Sequence, residues 1–103
     1  MPDPRIWPIP SVTDTYATVL GVSTLVLAAN VNRVGADFVN DSVDVIYLAR
    51  GNDAVVGSGI RLNANGGSYS IGTDNLFEGA VYGISDGGEQ NESNLTVSEG
   101  YMP

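Results

Sequence analysis

The side chains that carry most enzymatic chemistry are scarce in this sequence. It contains no His, no Cys and no Lys, and its four basic residues are all Arg. Without His and Cys, the common nucleophile–base pairs and most zinc sites are excluded. The remaining acid–base candidates are two carboxylate pairs, Asp41 with Asp44 and Glu89 with Glu92. Both pairs lie in polar segments without the apolar surroundings that adapt a carboxyl group to catalysis, so we predict that the protein is not an enzyme.

Clustered acids could instead bind Ca²⁺, which prefers carboxylate and carbonyl oxygens. Four aspartates lie within one short stretch of the chain: Asp37, Asp41, Asp44 and Asp53. Their spacing does not match the EF-hand loop, and Asp is a common turn former. The glycine-rich segments 51–53 and 57–59 lack the Lys and the following helix of a phosphate-binding loop. We therefore predict no metal ion and no cofactor.

Three Asn-X-Ser/Thr sequences are candidate glycosylation sites. They begin at Asn40, Asn91 and Asn94. A glycan on any of them would require a surface position in a secreted or displayed protein. Asn is also a frequent turn residue, so modified Asn and turn-forming Asn are both open interpretations.

Several aromatic residues lie in segments with strand character and could serve a binding face. They are Tyr16, Tyr47, Tyr69, Phe77 and Tyr82. Aromatic rings on one exposed face would suit sugar binding, because their apolar faces stack on pyranose rings. Aromatics on strands more often pack in the core or against a neighbouring strand, and we favour that interpretation.

The charge of the chain limits its partners. Twelve acids against four arginines give a formal net charge of -8. This charge repels phosphate backbones, so we expect no binding to nucleic acid. No apolar run approaches the roughly 20 residues of a membrane helix, so we expect no membrane partner. At about 1 M salt the Debye length is only about 3 Å, so repulsion between surface acids is largely screened. Proteins of salt-loving organisms can therefore carry such an excess of acids. A halophilic source is thus an alternative to an ordinary acidic protein.

The elements that position these residues are predicted to be short strands. Segments rich in β-branched and aromatic residues alternate with Gly, Asn, Asp and Ser at spacings typical of a sandwich or barrel. Asn65, Gly66 and Gly67 supply the positive φ angles of a tight hairpin turn. We predict an all-β fold, an antiparallel β-sandwich of jelly-roll-like type with about eight short strands. The predicted strands are 16–20, 24–28, 36–40, 45–49, 60–63, 68–71, 80–84 and 95–98.

The N-terminus has a different composition from the rest of the chain. Pro occupies positions 2, 4, 8 and 10, which favours an extended conformation outside a sheet. We predict an extended Pro-rich arm over residues 1–12 and a single β-sandwich domain over residues 13–103. The arm carries Ile6, Trp7 and Ile9, which need an apolar surface. They either fold over the domain's own core or anchor the arm in a neighbouring subunit.

Five segments together resemble small β-rich proteins encoded by tailed bacteriophages and related prophages. The segments are STLVLAANVNR, FVNDSVDVIYLARG, GSGIRLNANGGSYSI, LFEGAVYGIS and NLTVSEG. Their order covers roughly residues 20–100 and excludes the arm. The resemblance implies a virion accessory protein, such as a capsid decoration protein, and it implies no catalytic residue. A virus of a halophilic archaeon would suit the missing Lys and the excess of acids.

From these observations we predict a non-enzymatic virion structural protein. It is expected to bind the outer surface of a tailed-virus head, with the major capsid protein or another virion protein as partner. Closed cyclic assemblies are the default for identical subunits, and a trimer or pentamer would match capsid symmetry. The alternative is a receptor- or glycan-binding module of a head spike or tail fibre.

Overall fold

The computed structural model describes residues 11–72, 74–87 and 92–102. Within these ranges the chain forms eight strands and no helix, and each strand overlaps one of the eight predicted segments. The strands are β1 (Ser11–Val19), β2 (Thr24–Leu27), β3 (Arg33–Asn40), β4 (Ile46–Arg50), β5 (Ile60–Leu62), β6 (Ser68–Ile71), β7 (Val81–Ser85) and β8 (Ser93–Tyr101).

The strands form two antiparallel sheets with the jelly-roll order. Sheet A has the order β1-β8-β3-β6, and sheet B has the order β2-β7-β4-β5. Chain neighbours therefore alternate between the sheets, except for β4 and β5, which pair directly. The predicted fold class, an all-β antiparallel sandwich of jelly-roll type, is confirmed.

The core lies between the sheets because alternate residues of each strand point inward. In β3, for example, Ala36, Phe38 and Asn40 are buried while Asp37 and Val39 are exposed. Phe38 is 0% exposed and stacks against Tyr69 with ring centroids 6.3 Å apart. The buried cluster consists of Val19, Val26, Ala36, Phe38, Ile46, Leu48, Leu62, Ile71, Val81, Leu95 and Val97.

The turn at Asn65–Gly67 was predicted as a hairpin, and this prediction is wrong. Asn65 and Gly66 do have positive φ angles, of 58° and 119°. However, β5 belongs to sheet B and β6 to sheet A, so the turn is a corner between sheets. Its amides bind the β3–β4 region, where Asn65 N donates to Ser42 O and Gly66 N to Asn40 O. Local turn chemistry sets a chain reversal, but tertiary contacts choose the partner of each strand.

The predicted boundary between arm and domain also needs correction. Ser11 and Val12, assigned to the arm, belong to β1 and pair with Tyr101 and Gly100 of β8. The hydrophobic pattern begins only at Tyr16, because the first half of β1 is mostly Thr, Ser and Asp. The arm residues Ile6, Trp7 and Ile9 lie outside the described residues.

The β4–β5 loop covers part of the outer face of sheet B. Ala54 N donates a 2.8 Å hydrogen bond to Ser23 Oγ, just before β2 at the far edge of the sheet. The loop therefore crosses outside β7, which explains why Ile84 is only 9% exposed although it points away from the core. Sheet A has no such cover among the described residues.

Candidate interaction surfaces

The sandwich has two ends, each closed by its own set of loops. The Arg33 end consists of the β2–β3, β4–β5 and β6–β7 connections, together with the start of β1 and the end of β8. The Asp44 end consists of the β1–β2, β3–β4, β5–β6 and β7–β8 connections. A buried polar network that includes the named residue holds the loops of each end together.

Arg33 is the centre of the first network. Its side chain is 0% exposed, and its Nε donates to Glu99 Oε2 at 2.7 Å. The guanidinium also donates to three backbone carbonyls, those of Phe77 and Gly79 through Nη1 and that of Ala28 through Nη2, at 2.7 to 2.9 Å. Four of its five N–H groups are thus used within the fold. This geometry fixes two loops to β3 and gives Arg33 a structural role.

Asn40 is the centre of the second network. It is 0% exposed, and its Nδ2 donates to the carbonyls of Asp44, Leu62 and Asn63 at 2.7 to 3.2 Å. Its Oδ1 accepts a 2.6 Å hydrogen bond from Ser42 Oγ. One side chain therefore joins the β3–β4 loop to the β5–β6 corner. An N-linked glycan needs a solvent-facing Nδ2, so the prediction of Asn40 as a glycosylation site is wrong for this fold.

Asp44 extends the second network to the β7–β8 connection. Ser93 Oγ donates to Asp44 Oδ2 at 3.1 Å, and the buried hydroxyls of Ser85 and Ser93 lie 2.9 Å apart. Gly87 packs directly against Asp44, since a Cβ at Gly87 would lie 2.5 Å from Asp44 Cγ. Asp44, one member of the candidate carboxylate pair with Asp41, is therefore engaged in structural contacts.

The four aspartates considered for calcium do not cluster: Asp41 and Asp44 share the β3–β4 connection, whereas Asp37 and Asp53 lie on other surfaces. Asp37 accepts a 2.6 Å hydrogen bond from Ser70 Oγ on the outer face of sheet A. Asp41 faces Asn94 Nδ2 at 3.3 Å, and Asp53 is exposed on the β4–β5 loop. Across residues 11–72, 74–87 and 92–102, no group of three or more His, Cys, Asp or Glu side chains could hold a metal ion.

The two other candidate glycosylation residues have different outcomes. Asn94 is half-buried on β8, and its Nδ2 lies 3.3 Å from Asp41 Oδ2. Asn91 and the acid Glu89 lie outside the described residues. Modification of Asn94 or Asn91 stays a prediction.

The aromatic side chains do not form one binding face. Tyr69 and Phe77 pack against the core, and Tyr47 and Tyr82 are half-buried on the outer face of sheet B. Tyr16 is different, because it is 68% exposed on the outer face of sheet A. Most of this set therefore serves packing, and Tyr16 alone among the five is a fully accessible ring.

Tyr16 lies in a flat polar surface on the outer face of sheet A. Strand register aligns Tyr16 with Thr96, Val39 and Ser68 in one row across all four strands. The next row aligns Asp14, Ser98, Asp37 and Ser70. In that row Ser98 Oγ donates to Asp14 Oδ1, and Ser70 Oγ to Asp37 Oδ1, both at 2.6 Å. The small hydroxyl side chains keep this surface flat and accessible.

Among the described residues, β1 is an open edge of sheet A. It is nine residues long and pairs with β8 from Ser11 to Val19 without a bulge. Residues 12–16 are exposed on both faces of the strand, because β2 is only four residues long and sheet B does not cover them. β1 contains no Pro and no Lys, which are the residues that commonly protect sheet edges, and its single charge is Asp14.

The other three edge strands are short or irregular. β5 has three residues and β6 has four. β2 has four residues, and its register with β7 shifts between Leu25 and Leu27. Short length and bulges both limit the addition of a further strand. β1 is thus the edge best suited to pairing with another chain.

The two ends also differ in net charge over their described residues. The described residues at the Asp44 end include four acids and no Arg: Asp41, Asp44, Asp86 and Glu92. Those at the Arg33 end include four acids and two arginines: Asp53, Asp74, Glu78, Glu99, Arg33 and Arg50. Both ends expose valines at loops: Val31, Val55 and Val56 at the Arg33 end (78%, 59% and 49%), and Val22 and Val43 at the Asp44 end (49% and 81%). Leu76 and Met102 add exposed apolar surface at the Arg33 end, at 45% and 41%.

A shallow depression of about 380 Å³ lies where the β4–β5 loop leaves sheet B. Its lining includes Arg50, Asp53 and Ser58. Arg50 Nη1 also lies 3.5 Å from Tyr69 Oη, outside this depression. The depression is open to solvent and brings together no pair of groups suited to acid–base or nucleophilic chemistry.

Comparison of the chain with protein-family models, curated proteins and solved structures finds no match. The resemblance to phage-encoded β-rich proteins therefore stays a prediction. Over residues 11–72, 74–87 and 92–102, no helix is long and apolar enough to cross a membrane.

Sequence reasoning did not identify the open edge β1 or the two polar networks. Their residue types carry little signal, since Thr, Ser and Asn are common in any β protein. For Arg33 a signal exists in retrospect. It is one of four Arg in a Lys-free chain, and Arg is the basic residue best suited to a buried ion pair.

Proposed function

We propose that this jelly roll is a non-enzymatic structural domain that attaches to the outer surface of a tailed-virus head as part of a symmetric oligomer. Jelly rolls recur in viral capsid and lectin domains, which supports the proposal by analogy of fold. The net charge of -8 favours a position away from packaged DNA. The flat surface and open edge of sheet A supply contact area, which is what such a role requires.

The observation that carries the proposal is the contrast between the two ends. The Arg33 end has the lower excess of negative charge and exposes Val31, Leu76 and Met102. Interface centres are depleted in charge and enriched in apolar side chains, including Met. The chain also enters β1 at this end, because Ser11 pairs with Tyr101. The Arg33 end therefore faces the particle, and the acidic Asp44 end faces solvent.

The arm would contribute anchors from the same side. Ile6, Trp7 and Ile9 precede β1 by a few residues, so their attachment point is the Arg33 end. In this proposal they insert into an apolar groove of the capsid protein or of a neighbouring copy. Trp is frequent among interface anchors because one side chain buries a large area.

The test uses particles of the virus that encodes the chain, stripped of this protein, and purified full-length protein added back. Val31→Asp and Val43→Asp form a matched pair, since both valines are highly exposed at loops on opposite ends. We expect Val31→Asp to weaken co-sedimentation with particles at least tenfold, and Val43→Asp to leave it unchanged. Cryo-EM of intact particles should place the domain on the outer shell. Absence of the protein from purified particles would refute the proposal.

A glycan-binding role is a second candidate, and the exposure of Tyr16 favours it. The ring lies beside a row with the carboxylates of Asp14 and Asp37 and the hydroxyls of Ser70 and Ser98. Sugar sites combine a stacking ring with such acceptors and donors. In a glycan array, Tyr16→Ala should lose binding, whereas Tyr16→Phe, which keeps the ring, should retain most of it. Identical profiles for the two variants would exclude a stacking role for Tyr16.

A further inference from the structure

β1 has the geometry to pair with a copy of itself. A two-fold axis perpendicular to sheet A would bring two β1 strands together antiparallel, with outer face continuing into outer face. Under this symmetry the residue on the axis lies opposite itself. The residues flanking it pair in mirrored order along the two strands, so the position of the axis fixes the whole register.

The sequence of β1 favours an axis at Thr15. Thr15 is the central residue of Ser11–Val19, so this register pairs all nine residues. An axis at Asp14 would pair only residues 11–17 and would place two carboxylates directly opposite each other, which is destabilising. An axis at Tyr16 would pair only residues 13–19.

The Thr15 register also gives compatible neighbours. On the outer face, Asp14 lies opposite Tyr16 of the second copy, and Val12 lies opposite Thr18 of the second copy. On the inner face, Thr13 lies opposite Ala17 of the second copy. Each carboxylate thus has a phenol beside it, and the two Asp14 residues are separated diagonally by roughly 7–8 Å.

We propose that two copies of this chain form a dimer by antiparallel pairing of their β1 strands around a two-fold axis at Thr15. The contact joins the two copies of sheet A into one continuous eight-stranded sheet. Hydrogen-bonded pairs alternate along an antiparallel ladder and exchange two bonds each, so nine pairs give roughly eight to ten new bonds. The dimer goes beyond attachment to a virus particle and does not depend on it.

Cysteine cross-linking of the full-length protein tests the register, because the chain has no native Cys. Residues directly opposite in an antiparallel pair have Cα atoms about 4.5–5.5 Å apart, which a disulfide spans. Thr15→Cys should therefore form a disulfide-linked dimer under mild oxidation. Thr13→Cys on the same face should not, because the two copies of residue 13 are offset by four positions. Ser68→Cys on β6, the opposite edge of sheet A, is the matched control.

A size measurement on the unmodified chain completes the test. Native mass spectrometry should show a dimer, and Thr15→Lys, which places two ammonium groups opposite each other, should weaken it at least tenfold. Ser68→Lys should leave the dimer intact. A monomer at all concentrations, a trimer or pentamer unaffected by Thr15→Lys, or equal cross-linking of Thr13→Cys and Thr15→Cys would each overturn the proposal. None of these readouts involves a virus particle, so they do not bear on attachment.

Discussion

The two ends of the sandwich hold their loops in place with different side-chain groups. At the Arg33 end, one buried cation binds a carboxylate and three carbonyls. At the Asp44 end, a neutral amide binds three carbonyls, and a line of hydroxyls leads to one partly buried carboxylate. Both networks hold connections between sheets that no strand ladder covers. A jelly roll needs such side-chain networks because nearly every connection passes from one sheet to the other.

The difference predicts how the loss in free energy of unfolding depends on the charge of the central residue that is replaced. A buried ion left without its partner retains the full penalty of desolvation, whereas a lost neutral hydrogen bond costs less. We therefore expect the Arg33 end to fail more severely than the Asp44 end when its central residue is replaced. Three substitutions, ordered by expected effect, test this ranking.

Arg33→Met should have the largest effect. It keeps the apolar stem but removes four hydrogen bonds and leaves Glu99 and three carbonyls without their donor. Breaking a buried ion pair from one side costs about 3–5 kcal/mol. Since small domains have a total stability of about 5–15 kcal/mol, urea unfolding should shift strongly or the protein should be largely unfolded. Arg61→Met, at an exposed position on β5, is the control and should change the unfolding midpoint little.

A loss below about 1 kcal/mol in Arg33→Met would contradict the ranking. It would mean that water replaces the guanidinium at the four acceptors. The site would then be more accessible to water than the 0% exposure of the Arg33 side chain indicates. Hydrogen exchange at the β6–β7 loop would then rise without global unfolding. That outcome would show that the Arg33 network contributes little to the stability of this end.

Asn40→Ala should have an intermediate effect. The variant leaves the carbonyls of Asp44, Leu62 and Asn63 without their shared donor at a fully buried position. Asp44 O and Asn63 O keep hydrogen bonds from Ser42 Oγ and Gly67 N, so the cost comes from the lost bonds of Asn40, and we expect a loss of about 2 kcal/mol in urea unfolding. Asn94→Ala is the control, because its contact with Asp41 is long and exposed. Equal losses in both variants would show that burial does not set the cost.

The sequence predicted the strands well and their partners poorly. Alternating apolar residues located all eight strands, because inward and outward positions follow from the period of two. The corner at Asn65–Gly67 shows the limit. Its positive φ angles were predictable, but its amides bind Ser42 and Asn40, which lie more than twenty positions earlier in the chain. Such long-range contacts decide the sheet to which each strand belongs.

The candidate surfaces were less predictable than the fold. The first half of β1 has no hydrophobic alternation because both of its faces meet solvent, so only part of that strand was foreseen. From the sequence, Asn40 is open to two interpretations, a glycosylated residue or a turn-forming residue. In the structure it is buried, since three carbonyls at the Asp44 end converge on its amide. Burial of polar residues depends on partners that local patterns do not contain.

Ser93→Ala should have the smallest of the three effects. Ser93 is 0% exposed, and its hydroxyl lies between Ser85 Oγ and Asp44 Oδ2. The variant loses the contacts of this hydroxyl with Ser85 Oγ and Asp44 Oδ2, while Ser85 Oγ still accepts a hydrogen bond from Gly87 N. We therefore expect the free energy of unfolding in urea to fall by about 1 kcal/mol. Ser98→Ala on the same strand removes a shorter hydrogen bond, 2.6 Å to Asp14, but an exposed one. If Ser98→Ala costs as much as Ser93→Ala, burial does not set the cost of losing a hydroxyl contact, and the buried hydroxyl contacts of the Asp44 end stabilise the fold no more than exposed ones.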